Sequence, residues 1–287
     1  MKNRTGGREA GQEGRSGERR GSSRLGATRA GPQPRSPREP RARPRPRLRA
    51  HDDGRPQVRV VRAGRGRALR IDGTLASFYA PGHALVGPVW DALAAPLVWL
   101  APARRRSVLL LGLGGGSVAR VARALAPGAR IVGVERSAEV VRAARRHFDL
   151  DALGVEVVLA DARVYLERTR ARFDLVIEDI FVGQGRRVGK PEWLPRPGFG
   201  LAARRLAAGG VLTSNALDEA PVSLRAMGEL FPARVDIAVD GWDNRILVAG
   251  PARLSGAGLR AALARDPLLA PTLARLSLRT LPRCGAS

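Results

Sequence analysis

LLLGLGGGSVARVARALAPGARIVGVERS, residues 109–137, is the stretch whose reading decides the fold. An apolar run ends in glycines, a helical pattern follows, and a second apolar run ends on an acid. Val118, Val121, Ala122 and Leu125 recur at i, i+3, i+4 and i+7, the stripe of a helix lying on a sheet. The unit therefore reads as strand, glycine turn, helix and strand, with a ligand expected against the turn. Gly112, Gly114, Gly115 and Gly116 permit positive φ and let backbone approach that ligand closely. A dinucleotide fingerprint, G-x-G-x-x-G, would place its third glycine at 117, where this chain has Ser117.

Outward from this unit the chain alternates strand and helix. Strands are expected at 107–112, 130–135, 155–159, 173–179 and 210–215, and helices at 117–126, 138–147, 162–169, 198–208 and 221–230. Ser137 suits an N-cap for the second helix, with Glu139 favourable in its first turn. Near-continuous apolar strands separated by helices argue for a parallel sheet covered on both faces. ARVDIAVD (233–240) and NRILVAG (244–250) have no helix between them, so they pair as an antiparallel hairpin. Upstream, VRVVR (58–62) and RALRIDG (67–73) alternate as a small antiparallel β-ribbon. Trp90, Leu93, Leu97 and Leu100 mark a helix over 90–100. The expected organisation is a basic arm (1–56), a ribbon plus helix (57–100), an α/β catalytic domain (101–250) and a helical tail on the surface (251–287).

Ligands of open parallel sheets bind outside the carboxyl ends of the strands, so residues just after each strand carry the chemistry. Glu135 follows the second strand, where a carboxylate can accept both ribose hydroxyls and would disfavour a ribose phosphate. Asp161, in LADAR, can accept from an exocyclic amine such as that of adenine, with backbone near Ala162 against the ring. It can equally cap the helix that follows. In FDLVIEDIF, Glu178 and Asp179 alternate to opposite faces and form no dyad, so one of them, Asp179, enters the cleft. A single carboxylate there suits proton removal from an incoming nucleophile, or else holds a loop amide. No G-x-x-x-x-G-K-[ST] is present, which excludes a P-loop. Three strand-end acids and a glycine turn suit a nucleoside carrying a positive sulfonium.

Composition sets the remaining bounds. The first 56 residues hold 16 lysines and arginines against 6 acids, a surplus of 10 within the chain's net +24. Rich in Gly, Pro and Ser and lacking hydrophobic periodicity, this arm reads as disordered. Its charge could neutralise nucleic-acid phosphates, but no aromatic residue interleaves it for base stacking. A general bias towards arginine would leave the same trace, since only two of the 50 basic residues are lysines. One cysteine, Cys284, excludes an internal disulfide, and three scattered histidines match no metal spacing, so no metal is expected. Leu85 to Ala103 is the most apolar segment, but Asp91 and three prolines interrupt it, so no membrane span is expected. With no apolar signal-peptide core at the start, a soluble cytoplasmic protein is the default.

Four pieces, LRIDG (69–73), VLLLGLGGGS (108–117), VERSAEVVRAARRHF (134–148) and VVLADARVYL followed by FDLVIEDIF, resemble the spermidine synthase family within the class I S-adenosylmethionine-dependent methyltransferase fold. LAAGGVLTSN (206–215) fits as well, and the similarity runs from about 67 to 250. The resemblance implies a Rossmann-like, mostly parallel seven-stranded sheet ending in an antiparallel hairpin. It implies S-adenosylmethionine or its decarboxylated form as co-substrate, bound through Gly112, Gly114, Gly116, Glu135, Asp161 and Ala162. It assigns Glu135 to ribose, Asp161 to adenine and Asp179 to deprotonating the attacking amine of a small-molecule acceptor. It also implies an assembly of dimers or tetramers, as is common in the family, with a homodimer as the candidate here. The chain departs from the family where Val182 replaces a second aspartate and Ala76 a substrate-contacting glutamine. No tyrosine–histidine–glutamate stretch stands around Leu85, although Tyr79 and His83 lie nearby and are the candidates for contacting substrate. The acceptor half of the family pattern is thus eroded, and putrescine is a doubtful acceptor. Two other functions stand beside aminopropyl or methyl transfer: a non-catalytic nucleoside-binding protein, and a nucleic-acid methyltransferase docked by the arm. The Asn/Asp-Pro-Pro-Tyr/Phe signature of amino-methyltransferases is absent, since EDIF stands in its place.

Overall fold

A computed structural model describes residues 56–282. The arm up to residue 55, His51 and Cys284 lie outside them, as do the expectations of disorder and nucleic-acid docking for that arm. β1 (Val58–Ala63), β2 (Gly66–Ile71) and β3 (Thr74–Tyr79) form an antiparallel sheet. The expected ribbon has two strands, and the structure adds a third. It follows a two-residue turn, Asp72-Gly73, with φ of 51° and 81°. Asp-Gly is the pair that a type I′ hairpin turn favours, so this signal was present in the sequence. The expected helix over 90–100 is two short ones, α1 (Pro88–Ala94) and α2 (Pro96–Trp99), divided at a proline that has no amide hydrogen to continue the ladder.

The main layer is built from β4 (Ser107–Leu111), α3 (Ser117–Leu125), β5 (Arg130–Glu135), α4 (Ala138–Phe148), β6 (Glu156–Leu159), α5 (Ala162–Arg168) and β7 (Phe173–Glu178). It continues with α6 (Gly198–Ala203), β8 (Leu206–Ala216), α7 (Ala220–Leu230), β9 (Ala233–Val239) and β10 (Arg245–Gly250). Most bounds fall within a residue or two of expectation. Ser137 caps α4 by accepting from the Val140 amide at 3.3 Å. The exception is the expected helix over 198–208, which ends at Ala203 because β8 begins early. Leu206 pairs with Phe173 but Val211 with Leu175, an irregular start that includes Gly209 at φ 73°.

The sheet has eight strands in the order β11-β9-β10-β8-β7-β4-β5-β6. β6, β5, β4, β7 and β8 run parallel, and β10 and β9 close them as the expected antiparallel hairpin. The eighth strand corrects the reading of 251–287 as a surface helical tail. α8 (Gly256–Arg265) and β11 (Leu276–Leu281) fold back, and β11 pairs antiparallel with β9. Nearly every residue of β9 is buried, so without β11 it would be an apolar open edge.

Alternation along the strands divides the core. Val108 and Leu110 pack towards α1, α2, α3 and α8, while Leu109 and Leu111 pack towards α5, α6 and α7. Each fully buried side chain of this size contributes about 1.5–3 kcal/mol. The three-stranded sheet rests on α4 through Leu69, Val140 and Phe148. β4 lies between β5 and β7, so chain connections leave it in opposite directions and open a crevice at its carboxyl end. Among the described residues, no helix is long and apolar enough to cross a membrane.

Candidate active site

A cleft of about 440 Å³ occupies this switch point, within the range of roughly 300–1,000 Å³ usual for small-molecule sites. Its floor is the carboxyl edge of the sheet and one wall is the β2–β3 hairpin, which contributes Ile71, Asp72, Leu75, Ala76 and Ser77. Gly112, Gly114, Glu135, Asp161, Ala162 and Asp179 all border it. Gly116, Tyr79 and His83 do not.

Gly112 has φ 87°, and a Cβ there would stand 2.6 Å from the Asp179 carbonyl oxygen. Glycine thus lets the end of β4 lie against the end of β7. Gly116, with φ 84°, begins α3, and a Cβ there would meet Leu150 at 2.9 Å, away from the cleft. The turn's amides are already used. Gly112 and Leu113 donate to the Val134 carbonyl, Gly114 to Glu135 Oε2 (3.1 Å), Gly115 to Ser77 Oγ (2.8 Å) and Gly116 to the Leu113 carbonyl. A pyrophosphate site needs such amides free and convergent. Ser117, where a dinucleotide site would have glycine, is buried and bridges β3: its hydroxyl donates to the Phe78 carbonyl and accepts from the Phe78 amide.

Half-buried Glu135 takes the Gly114 amide on one oxygen and the Ser137 amide (3.0 Å) on the other, which aligns its carboxylate at the cleft rim. Asp161 is exposed and caps α5, accepting from the Arg163 and Val164 amides on Oδ1. Its Oδ2 has no partner among the described residues. Capping and ligand contact are therefore compatible at this residue.

Asp179 and Glu178 diverge as strand alternation requires. Glu178 is buried on the far side of the strand end, accepting from Ser214 Oγ (2.6 Å), the Ile180 amide (2.7 Å) and Lys190 Nζ (2.8 Å). Lys190 is equally buried and also reaches the Ile180 carbonyl. Asp179 enters the cleft, where Asn215 Nδ2 donates to its Oδ1 at 2.8 Å. The Asn215 side-chain oxygen accepts in turn from Asn244 Nδ2 at 2.8 Å. Burial pushes the Asp179 carboxyl up to about 6, against the opposing pull of the Asn215 bond and the Lys190 charge. Asp91 is likewise pushed up to about 6 by burial, but it ties down the Val86 amide within the core and does not border the cleft.

Tyr79 and His83, expected to contact substrate, lie elsewhere. The Tyr79 ring packs 6.2 Å from Phe148 with the Arg120 guanidinium 4.3 Å from its centre, and His83 is exposed on a turn. The positions where the family pattern fails, Ala76 and Val182, do border the cleft. Sequence reasoning missed the cleft residues Ser77, Asn215 and Asn244, an aromatic wall of Trp90, Phe181, Trp193 and Trp242, and the Lys190 that pairs with Glu178 behind it. Only Asn215 carried a usable signal, as a polar residue at the carboxyl end of a parallel strand. Among the described residues, no cluster of three His, Cys, Asp or Glu side chains could hold a metal ion.

Residues 108–182 match the sequence profile of a methyltransferase domain. No curated protein matches the sequence. Among solved structures the fold is similar to a probable spermidine synthase from Corynebacterium glutamicum, at 22% identity over 82% of this chain and 91% of that one, with a TM-score of 0.64. Spermidine synthase from Thermotoga maritima is 15% identical over 71% of each chain, with a TM-score of 0.54. Human methyltransferase-like protein 13, solved in complex with SAH, is 20% identical over 65% of this chain and 92% of that one, with a TM-score of 0.51. The chain thus has the class I methyltransferase fold.

Proposed function

We propose that this chain, with its class I methyltransferase fold, is a spermidine-synthase-like transferase. It takes S-adenosylmethionine or the decarboxylated form as co-substrate and moves an aminopropyl or methyl group to a small nucleophile. The observation that carries this reading is the meeting of Glu135, Asp161 and Asp179 in one cleft beside a glycine turn whose amides are spent. A turn without free amides suits an uncharged ribose and base better than a pyrophosphate. The donor set fits a sulfonium nucleoside. Glu135 accepts from ribose hydroxyls, the free oxygen of Asp161 from the adenine amine, and the backbone at Ala162 lies against the ring.

When bound, the sulfonium nucleoside supplies an electrophilic carbon, whose bond to sulfur breaks with its electron pair as the acceptor's lone pair bonds to that carbon. Asp179 in its carboxylate form takes the acceptor's proton and later releases it to water. Asn215 holds one Asp179 oxygen and leaves the other without a hydrogen-bond partner among the described residues, open to an acceptor. The hairpin wall and the 181–190 segment narrow the cleft, holding the reactants close and limiting water around them.

Isothermal titration with S-adenosylmethionine, its decarboxylated form and methylthioadenosine tests the reading. At least one is expected to bind with a Kd of roughly 100 µM or tighter, about −5.5 kcal/mol. If all three fail to bind, the reading is wrong.

A further inference from the structure

The cleft divides along the sheet edge. Its nucleoside half lies over β4, β5 and β6, with Glu135 and Asp161. Its other half lies over β7, β8 and the β9–β10 turn, beside Asp179 and Asn215. This second half is walled by Trp90, Phe181, Val182, Trp193 and Trp242. Trp242 meets Trp90 edge to face at 6.5 Å and stays 39% exposed at the mouth. A large aromatic side chain left open beside a cleft marks a contact surface for an apolar group.

Charge in this half is nearly balanced. Glu178 is neutralised by Lys190, whose ammonium lies 4.0 Å from the centre of the Phe181 ring and so already occupies that aromatic face with a cation. Asp179 is the carboxylate at the end of β7 that faces this half, and a sulfonium beside it would offset it. A diamine would bring two further positive charges, and Val182 offers no acid on this wall to receive one of them.

We infer that the acceptor is an uncharged aromatic molecule with one nucleophilic O–H or N–H group, a phenol or an aromatic amine, held by Trp90 and Trp242 with that group towards Asp179. The inference rests on the transferase reading above. In the transfer, the acceptor's O or N forms a bond to the sulfonium carbon, the carbon–sulfur electron pair goes to sulfur, and Asp179 receives the proton. An uncharged phenol or aromatic amine already has a lone pair with which to attack and gives up its proton as the new bond forms, whereas an alkylammonium has no lone pair until it has lost a proton. The raised Asp179 carboxyl suits it to this exchange.

The test uses the full-length chain and a binding readout. S-adenosylhomocysteine is titrated first by calorimetry, and the loaded protein is then titrated separately with 1-naphthol, 1-naphthylamine and putrescine. The expected result is that a naphthyl probe binds at least about tenfold more tightly than putrescine. Trp242→Ala should weaken naphthyl binding by a similar factor while the S-adenosylhomocysteine Kd stays within about twofold. Val182→Asp should strengthen putrescine by about tenfold, confirming that a missing acid excludes it. If S-adenosylhomocysteine binds but neither naphthyl probe does, or putrescine binds more tightly than both, the acceptor class is wrong while the nucleoside site stands. If S-adenosylhomocysteine itself does not bind, both readings fall.

Discussion

In the proposed reaction the chemistry concentrates in one carboxylate, Asp179, held by Asn215 and pushed up to about 6 by burial. A general base acts only when deprotonated, so turnover should fall about tenfold per pH unit below roughly 6 and level off above it. Asp179→Asn should lower turnover by about 10²–10⁴-fold while the nucleoside Kd stays within about threefold, since Glu135 and Asp161 are untouched. Equal loss of binding and turnover would instead mark Asp179 as structural. The same shift bears on stability. The folded value lies above the ordinary 3.8 of an aspartate, so the stability this group lends is complete below 3.8 and lost as pH rises through about 6. Asp179→Asn should therefore raise Tm at pH 8 and leave it nearly unchanged at pH 4, which thermal scans at the two pH values would show. Asp179 was legible from sequence as the acid at the end of an apolar strand. Its partners Asn215 and Asn244 were not, because nothing local ties the end of β8 or the β9–β10 turn to the end of β7.

The element that walls the cleft beside the end of β7 is the segment from Ile180 to Lys190, and a buried ion pair ties it down. Val182 and Gly189 bridge its two sides, and Lys190 reaches back to Glu178 and the Ile180 carbonyl. Removing one member of such a pair leaves an uncompensated buried charge, whereas removing both does not. Lys190→Met should cost about 3–5 kcal/mol in denaturant unfolding, and adding Glu178→Gln should recover a large part of that. A single-variant loss under about 1 kcal/mol would show that the pair does not anchor the segment. Sequence alternation correctly sends Glu178 away from the cleft. It gives no sign that one of the two lysines in the chain is its partner, since a loop has no periodicity from which to read a contact. The glycine turn shows the same limit. Its position and type follow from five residues, but the use of the Gly115 amide by Ser77 depends on a hairpin nearly forty positions upstream.

For the whole molecule, the parallel sheet and its layers are carried by short-range pattern, but closure of the sheet is not. α8 and β11 supply Leu259, Leu263 and Leu276 to the larger core, and β11 covers β9. A chain ending at residue 250 should therefore fail to give cooperative thermal unfolding or should aggregate, because an apolar edge and several buried leucines would be exposed together. A soluble, cooperatively folding truncation would mean that the tail is an accessory after all. The alternation of strand and helix, the antiparallel closing hairpin and the three strand-end acids were determined by the sequence itself, because each is written in the period of a few consecutive residues. Tertiary structure alone decided which turn amides are spent, which acid is neutralised, which tryptophans face each other and where the tail goes. Those depend on pairings between residues tens to more than a hundred positions apart, such as Trp90 with Trp242. No local periodicity encodes such a pairing until the sheet has formed and brought the two together.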